Sequence, residues 1–213
     1  MVVAIALVLS GVVGYVLGSI PTGYWLGRAL AGVELRKEGW GSTGATNTLR
    51  TLGKGPALFV LVVDLLKGAA AVWAAGVIAN QLVFPRPDLS LPWCIILAAL
   101  LAIVGHSKSI WMNFKGGKSA ATSLGILLAM AWPVGLTVLG VWLGTLGLSR
   151  IVSISSILAA VAAPILMAVF GQPWQLIAFA AVGGLYVVVR HRGNIQRLMA
   201  GTEPRIGQKL QES

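Results

Sequence analysis

The chain has 213 residues, of which 57% are hydrophobic and 10% charged, and it carries a net charge of +10. An average soluble domain is roughly 25% charged, so this composition lacks the polar residues to cover a water-facing surface and excludes an ordinary soluble enzyme. The basic excess would suggest nucleic acid in a soluble protein; in a membrane protein it reports which loops face the cytoplasm, and no nucleic-acid partner is expected.

The first apolar run, from Val2 to Leu17, has no basic segment ahead of it and leads into polar motifs rather than a small-residue cleavage site. It therefore reads as a retained span, not a secretory leader. Spans are predicted over 2–26, 56–80, 92–106, 119–132, 133–148, 154–170 and 174–189. Several of these runs approach or reach the ~17 to 25 residues a helix needs to cross the hydrocarbon layer. The expected fold is all-α: a polytopic integral membrane protein with seven transmembrane helices, one membrane-embedded domain over 1–213, and a basic C-terminal tail from about 190.

The stretch 119–148 reads either as one helix kinked at Trp132-Pro133 or as two short ones. Charge decides between them. With two helices, fifteen of the sixteen Lys and Arg residues lie on one side and only Arg86 on the other. Arg28, Lys54, Arg150, Arg205 and Lys209 are among the fifteen. Basic residues accumulate in cytoplasmic loops, so the N-terminus is expected outside and the C-terminus in the cytoplasm. Cys94, the single cysteine, sits in an apolar stretch; no intrachain disulfide is possible and a buried small hydrophobe is expected.

Three polar segments carry chemistry. The first runs from Gly39 to Arg50, Gly-Trp-Gly-Ser-Thr-Gly-Ala-Thr-Asn-Thr-Leu-Arg. Glycines let backbone amides converge, hydroxyls and an amide add donors, and the planar fork of Arg50 matches a phosphate. It contains Gly-x-Gly-x-x-Gly without the strand and βαβ unit that a dinucleotide site requires. The second, Gly105 to Ser119, ends in Gly116-Gly117-Lys118-Ser119 at the start of an apolar run. That resembles the end of a P-loop, and Lys118 beside glycines at a helix start suits an anion. Met112 occupies the place of the first P-loop glycine, which argues against an NTPase. The third begins His191-Arg192-Gly193-Asn194. If a helix continues past Val189, His191 and Asn194 share a face, and the histidine can orient or deprotonate a hydroxyl.

Within the spans, Asp64 and Lys67 are three apart and read as an ion pair. Ser153, Ser155 and Ser156 open the sixth span, where serines satisfy backbone groups or let helices approach. No Cys or Gly-x-Ser-x-Gly nucleophile appears, and neither His106 nor His191 is followed five residues on by Asp. The absence of a His, Cys and carboxylate cluster predicts neither a metal nor another cofactor.

Together the segments resemble the bacterial acyl-phosphate:glycerol-3-phosphate acyltransferase family. The resemblance rests on Gly18-Ser19-Ile20-Pro21-Thr22-Gly23, Gly44-Ala45-Thr46-Asn47 through Arg50, Asp64 with Lys67-Gly68, Gly105-His106, Phe114 through Lys118, Ala121-Thr122, and Asn194-Ile195 through Gly201-Thr202-Glu203, in that order. It implies seven helices, a bacterial inner-membrane location and a site facing the cytoplasm. The implied reaction moves a fatty acyl group from acyl phosphate to the 1-hydroxyl of glycerol 3-phosphate, giving lysophosphatidic acid and phosphate, the first step of phospholipid synthesis. The partners it implies are those two substrates and membrane lipid.

By the same resemblance Arg50, Lys118, His191 and Asn194 form the catalytic set and hold glycerol 3-phosphate. Gly41, Ser42, Gly44, Thr46, Asn47, Gly116, Gly117 and Ser155 are the implied phosphate-binding residues, with 42–47 taking the acyl-phosphate headgroup. No protein nucleophile is implied; substrate phosphate assists proton removal. The chain departs from the family pattern at Trp40, where serine is common, at Ser109 in place of proline, and at Ser119 in place of glycine.

The chemistry of the residues agrees. Acyl phosphate is already activated, so an enzyme needs chiefly to place two anionic substrates in line and neutralise charge. The competing reading is a transporter of phosphorylated or anionic metabolites, and a third is a scaffold whose basic loops bind anionic lipid. Against transport, the conspicuous cations cluster toward one face instead of the membrane midplane.

Overall fold

The computed structural model describes residues 1–83 and 91–208, whose regular secondary structure is helical, with no strand. Arg86 and Lys209, both used above to assign loops, lie outside the described residues. The chain divides into two compact units, Met1–Trp132 and Pro133–Ser213.

The first unit contains α1 (Val2–Ser19), α2 (Thr22–Ala31), α3 (Ala45–Leu52), α4 (Lys54–Leu82), α5 (Leu91–Ser107), a 3-10 turn at Ile110–Met112, and α6 (Ala120–Met130). The single helix predicted over 2–26 is instead broken. Pro21 lacks an N–H and biases its predecessor away from the helical region; Ile20 accordingly has φ −53° and ψ 114°. Helix α2 then stops at Gly32, which adopts φ 66° and returns its amide to the Arg28 carbonyl, a glycine C-cap.

Small residues set the packing. A Cβ on Gly14 or Gly18 would strike the Ala98 or Ala102 carbonyl on α5, and one on Gly105 would strike the Tyr15 carbonyl on α1. Helices α4 and α6 meet the same way: Gly68 abuts the Thr122 carbonyl and Gly125 the Leu65 carbonyl. In lipid, where apolar surface gains little from leaving the tails, such backbone approach supplies the dispersion contacts that hold helices together. Cys94 is fully buried, as expected.

The second unit is built from α7 (Trp132–Ser149, its first residue at the boundary), α8 (Val152–Val169), α9 (Trp174–Arg190) and α10 (Arg192–Met199). Gly184 of α9 abuts the Ala160 carbonyl of α8, and Trp142 of α7 donates its indole N–H to the Ser156 hydroxyl at 3.2 Å.

The stretch 119–148 forms two helices, separated at Ala131 with φ −151° and ψ 78°. Five stretches are long and apolar enough to cross a membrane, Val2–Ala31, Lys54–Leu82, Leu91–Met112, Trp132–Ser149 and Val152–Val169; the bent pair α9 and α10 makes a sixth if counted as one span. Helix α6, with 11 residues, falls below the ~17 that a full crossing takes. The chain is thus an all-helical, multi-pass membrane protein.

Candidate functional site

The glycine-rich segment of the first unit is only partly a loop. Residues 33–44 wrap back toward α2, but Ala45–Leu52 is the helix α3. Asn47 organises the turn from inside. It is buried, its Nδ2 lies 2.9 Å from the Leu35 carbonyl, 3.1 Å from that of Glu38 and 2.8 Å from that of Ser42, and its Oδ1 accepts the Trp40 amide at 3.0 Å. An expected substrate ligand is therefore committed to shaping its own loop.

Ser42 accepts the Gly44 amide at 3.4 Å through its hydroxyl. Gly41 sits at φ 65°, a left-handed position that favours glycine. Gly44 precedes the helix as its N-cap, and Thr46 lies half-buried in the first turn. Arg50, at the other end of α3, is half-buried, with its guanidinium 5.9 Å from the centroid of the Trp40 ring.

The second loop is locked to the C-terminal end of α5. The Gly116 amide donates to the Ser107 carbonyl at 2.9 Å and that of Gly117 to the His106 carbonyl at 3.1 Å, so both expected phosphate donors cap α5. Neither position can hold a side chain: a Cβ on Gly116 would strike the His106 carbonyl and one on Gly117 the His106 ring at Nε2. Beneath them His106 Nδ1 lies 3.3 Å from the Thr122 hydroxyl and 3.7 Å from Asp64. Asp64 pairs with Lys67 at 2.8 Å, the expected ion pair, and Lys67 also donates to the Ile20 carbonyl at 3.0 Å where α1 breaks.

Lys118 follows this locked backbone and is half-buried. Ser119, at φ 65°, starts α6. Its left-handed backbone explains why glycine suits the position, and its hydroxyl compensates by donating to the Ile103 carbonyl at 2.7 Å. Ser109 donates to the Ser19 carbonyl at 2.5 Å. The two loops of this unit are joined by Arg36, which donates to the Met112 carbonyl at 3.0 Å while pairing with Glu34 at 2.5 Å.

In the second unit α9 and α10 meet at a 58° bend, with His191 at the junction. His191 is buried, and its Nδ1 lies 2.7 Å from the Val187 carbonyl. A carbonyl can only accept, so Nδ1 carries a proton; in the neutral ring the acceptor lone pair is then on Nε2. Asn194, one turn on, donates its amide to Glu203 at 2.5 Å. Ser155 is buried with its hydroxyl donating to the carbonyl of Ile151, the N-cap of its own helix, at 3.0 Å.

Glu203 is the hub that sequence reasoning left without a role. After α10 the chain turns at Gly201, φ 70°, and brings the carboxylate back. It accepts from Asn194, from Ser153 on α8 at 2.8 Å and from Arg197 at 2.7 Å. Burial pushes its carboxyl up, but these three hydrogen bonds and the charge of Arg197 outweigh that and hold it below the ordinary carboxylate range. The available signal was scarcity: it is one of six acidic residues in the chain. Serine spacing alone could not tell that Ser153, rather than Ser155, bonds across elements.

Comparison with known proteins places these features in one context. The glycerol-3-phosphate acyltransferase family model matches residues 8–201. The glycerol-3-phosphate acyltransferase of Synechococcus sp. (strain JA-3-3Ab) is 59% identical over 205 residues, covering 96% of each chain. That of Trichormus variabilis is 55% identical over 206 residues, covering 93% of this chain and 91% of its own. Among solved structures, the glycerol 3-phosphate form of PlsY, an integral membrane glycerol 3-phosphate acyltransferase, is 36% identical with a TM-score of 0.84, covering 94% of this chain and 96% of that one. The lysophosphatidic acid form is 33% identical with a TM-score of 0.81, covering 94% and 95%.

Proposed function

The chain belongs to the glycerol-3-phosphate acyltransferase family, and on that premise we propose how its residues serve the reaction. It is an integral membrane acyltransferase of phospholipid synthesis. The acceptor reading is carried by one observation, the likeness over nearly the whole chain to an enzyme solved in a glycerol 3-phosphate form.

The proposed donor is acyl phosphate. The 1-hydroxyl oxygen of glycerol 3-phosphate attacks the acyl carbon, the bond from that carbon to the phosphate oxygen breaks, and phosphate leaves with the hydroxyl proton. Lysophosphatidic acid remains. Because the donor is a mixed anhydride, the protein contributes placement and charge compensation rather than a nucleophile.

Arg50 and Lys118 in the first unit are assigned to the acceptor phosphate, His191 and Asn194 in the second to the rest of glycerol 3-phosphate. Backbone around Gly41, Ser42, Gly44 and Thr46 is assigned to the donor phosphate, with Ser155 as a further polar contact. Asn47, Gly116 and Gly117 support these groups through the hydrogen bonds and close contacts described above. Seven crossings, α6 included, with the N-terminus outside, the C-terminus cytoplasmic and the site facing the cytoplasm of a bacterial inner membrane, complete the reading; the basic loops support it.

The test uses purified protein in detergent. Phosphate is expected to be released from acyl phosphate only when glycerol 3-phosphate is present, with acyl-CoA and acyl carrier protein inactive as donors. Turnover with acyl-CoA alone would overturn the donor assignment.

A further inference from the structure

Trp40 is mounted in an unusual way for an aromatic residue in a short loop. It stands between two glycines with left-handed backbone, Gly39 at φ 53° and Gly41 at φ 65°. A Cβ on Gly39 would press on Asn47 Oδ1, and the Gly41 amide donates to the Glu38 carbonyl at 3.1 Å. The Trp40 amide itself donates to Asn47 Oδ1 at 3.0 Å, and Asn47 belongs to α3. The indole is thereby fixed relative to that helix.

It is not there to fill a core, because Trp40 is 39% exposed. What it meets is Arg50, on the same helix three residues after Asn47, whose guanidinium carbon lies 5.9 Å from the ring centroid. A guanidinium against an indole face is attracted by the ring quadrupole, keeps its full charge and leaves its N–H edge directed away from the ring. Its many rotamers are narrowed before any ligand arrives, which lowers the ordering cost of binding.

We propose that Trp40 is a positioning residue for the acceptor: its indole holds the Arg50 guanidinium so that the N–H fork is presented to the phosphate of glycerol 3-phosphate. The inference rests on the assignment of Arg50 to that phosphate. Trp40 touches no substrate in this scheme; it acts through Arg50.

The experiment is titration calorimetry of glycerol 3-phosphate into the purified full chain in detergent, with melting temperature as a check on folding. Trp40→Ala is expected to weaken Kd by about two- to five-fold, the value of a cation–π contact at an exposed site. Trp40→Phe keeps most of the affinity, while Trp40→Leu, which fills space without a quadrupole, behaves as Trp40→Ala. In an Arg50→Gln background Trp40→Ala causes no further weakening.

Equal affinity for the Leu and Phe variants would overturn the proposal by showing that bulk alone matters. Additive weakening in the Arg50→Gln background would also overturn it, since Trp40 would then act without Arg50. If Arg50→Gln weakens Kd and Trp40→Ala does not, the positioning role fails while the phosphate assignment stands. If Arg50→Gln leaves Kd unchanged, the phosphate assignment itself fails.

Discussion

At the scale of single residues, the side chains divide into those committed to their own unit and those assigned to substrate. Arg50→Ala and Lys118→Ala each remove a charged partner for phosphate, an interaction of roughly 1.5–3 kcal/mol, so turnover should fall about ten- to a hundredfold. His191→Ala should fall by about a hundredfold or more, in the range for lost proton-transfer or orienting groups. Steady-state kinetics checks all three, with unchanged melting temperatures showing that folding survives; near-normal activity in all of them would sink the site. Glu203 makes a different prediction. Its folded-state carboxyl titrates below its unfolded value, so the stability it contributes is full above the ordinary carboxylate range and is lost as pH falls through the folded value. Protection factors of the amides across 191–203, corrected for the intrinsic pH dependence of exchange, should therefore fall on acidification, and Glu203→Gln should flatten that dependence while lowering protection near neutrality. Sequence alone named Asn194 and His191 but could not separate Asn47 from them. An amide that knots its own loop and one that bonds a carboxylate, as Asn194 does to Glu203, have the same letter, and only the partners around each Nδ2 tell them apart.

At the scale of elements, the long apolar helices were legible because lipid demands a continuous run, and the ends of α4, α5, α7, α8 and α9 fall within a few residues of their predicted limits. The helix α3 was not legible. Three threonines and an asparagine in eight residues have weak helix propensity, and the apolar face, Ala45, Leu49 and Leu52, is too short to stand out in the sequence. Thr48 and Thr51 nevertheless return their hydroxyls to the Gly44 and Asn47 carbonyls, at 3.2 Å and 3.1 Å, and Gly44 opens the helix. The break at Pro21 was visible in the letters and was read through. Close helix contacts give the next prediction. Gly125→Val places a branched side chain against the Leu65 carbonyl, and overpacking of this kind costs about 1–3 kcal/mol. A lower melting temperature with little recovery of activity on cooling should follow; Gly144→Val, where nothing lies within 4 Å, is the control and should be near neutral. The short α6 makes the topology testable. The non-helical stretch ahead of it is partly buried, with Gly117 and Ser119 inside the unit, which is where irregular backbone at membrane depth is tolerated. In a Cys94→Ala background, a cysteine at Lys115 should be labelled from the cytoplasmic side and one at Trp132 from outside. Labelling of both from the same side would remove α6 from the count of crossings.

At the scale of the whole molecule, composition settled the solvent before any motif was considered. A chain with 10% charged residues has to be sheltered by lipid, and the positive excess then speaks of topology. Part of that charge is structural: Arg28 and Arg36 surround Glu34, Lys67 serves Asp64, and Arg197 serves Glu203. Among the described residues no group of three His, Cys, Asp or Glu side chains could hold a metal ion, and the proposed donor needs no Lewis acid to become reactive. Activity should accordingly survive excess EDTA, and strict dependence on a divalent cation would refute that expectation. The clasp made by Glu203 also bears on synthesis. Asn194 obtains its carboxylate partner from position 203, which is synthesised after every described hydrophobic helix. A chain released by a stall or an early stop codon before position 203 would carry all its spans and lack the anchor for Asn194. On the proposed role of Asn194, such truncated products would enter the membrane with that side chain unsecured and are expected to be inactive.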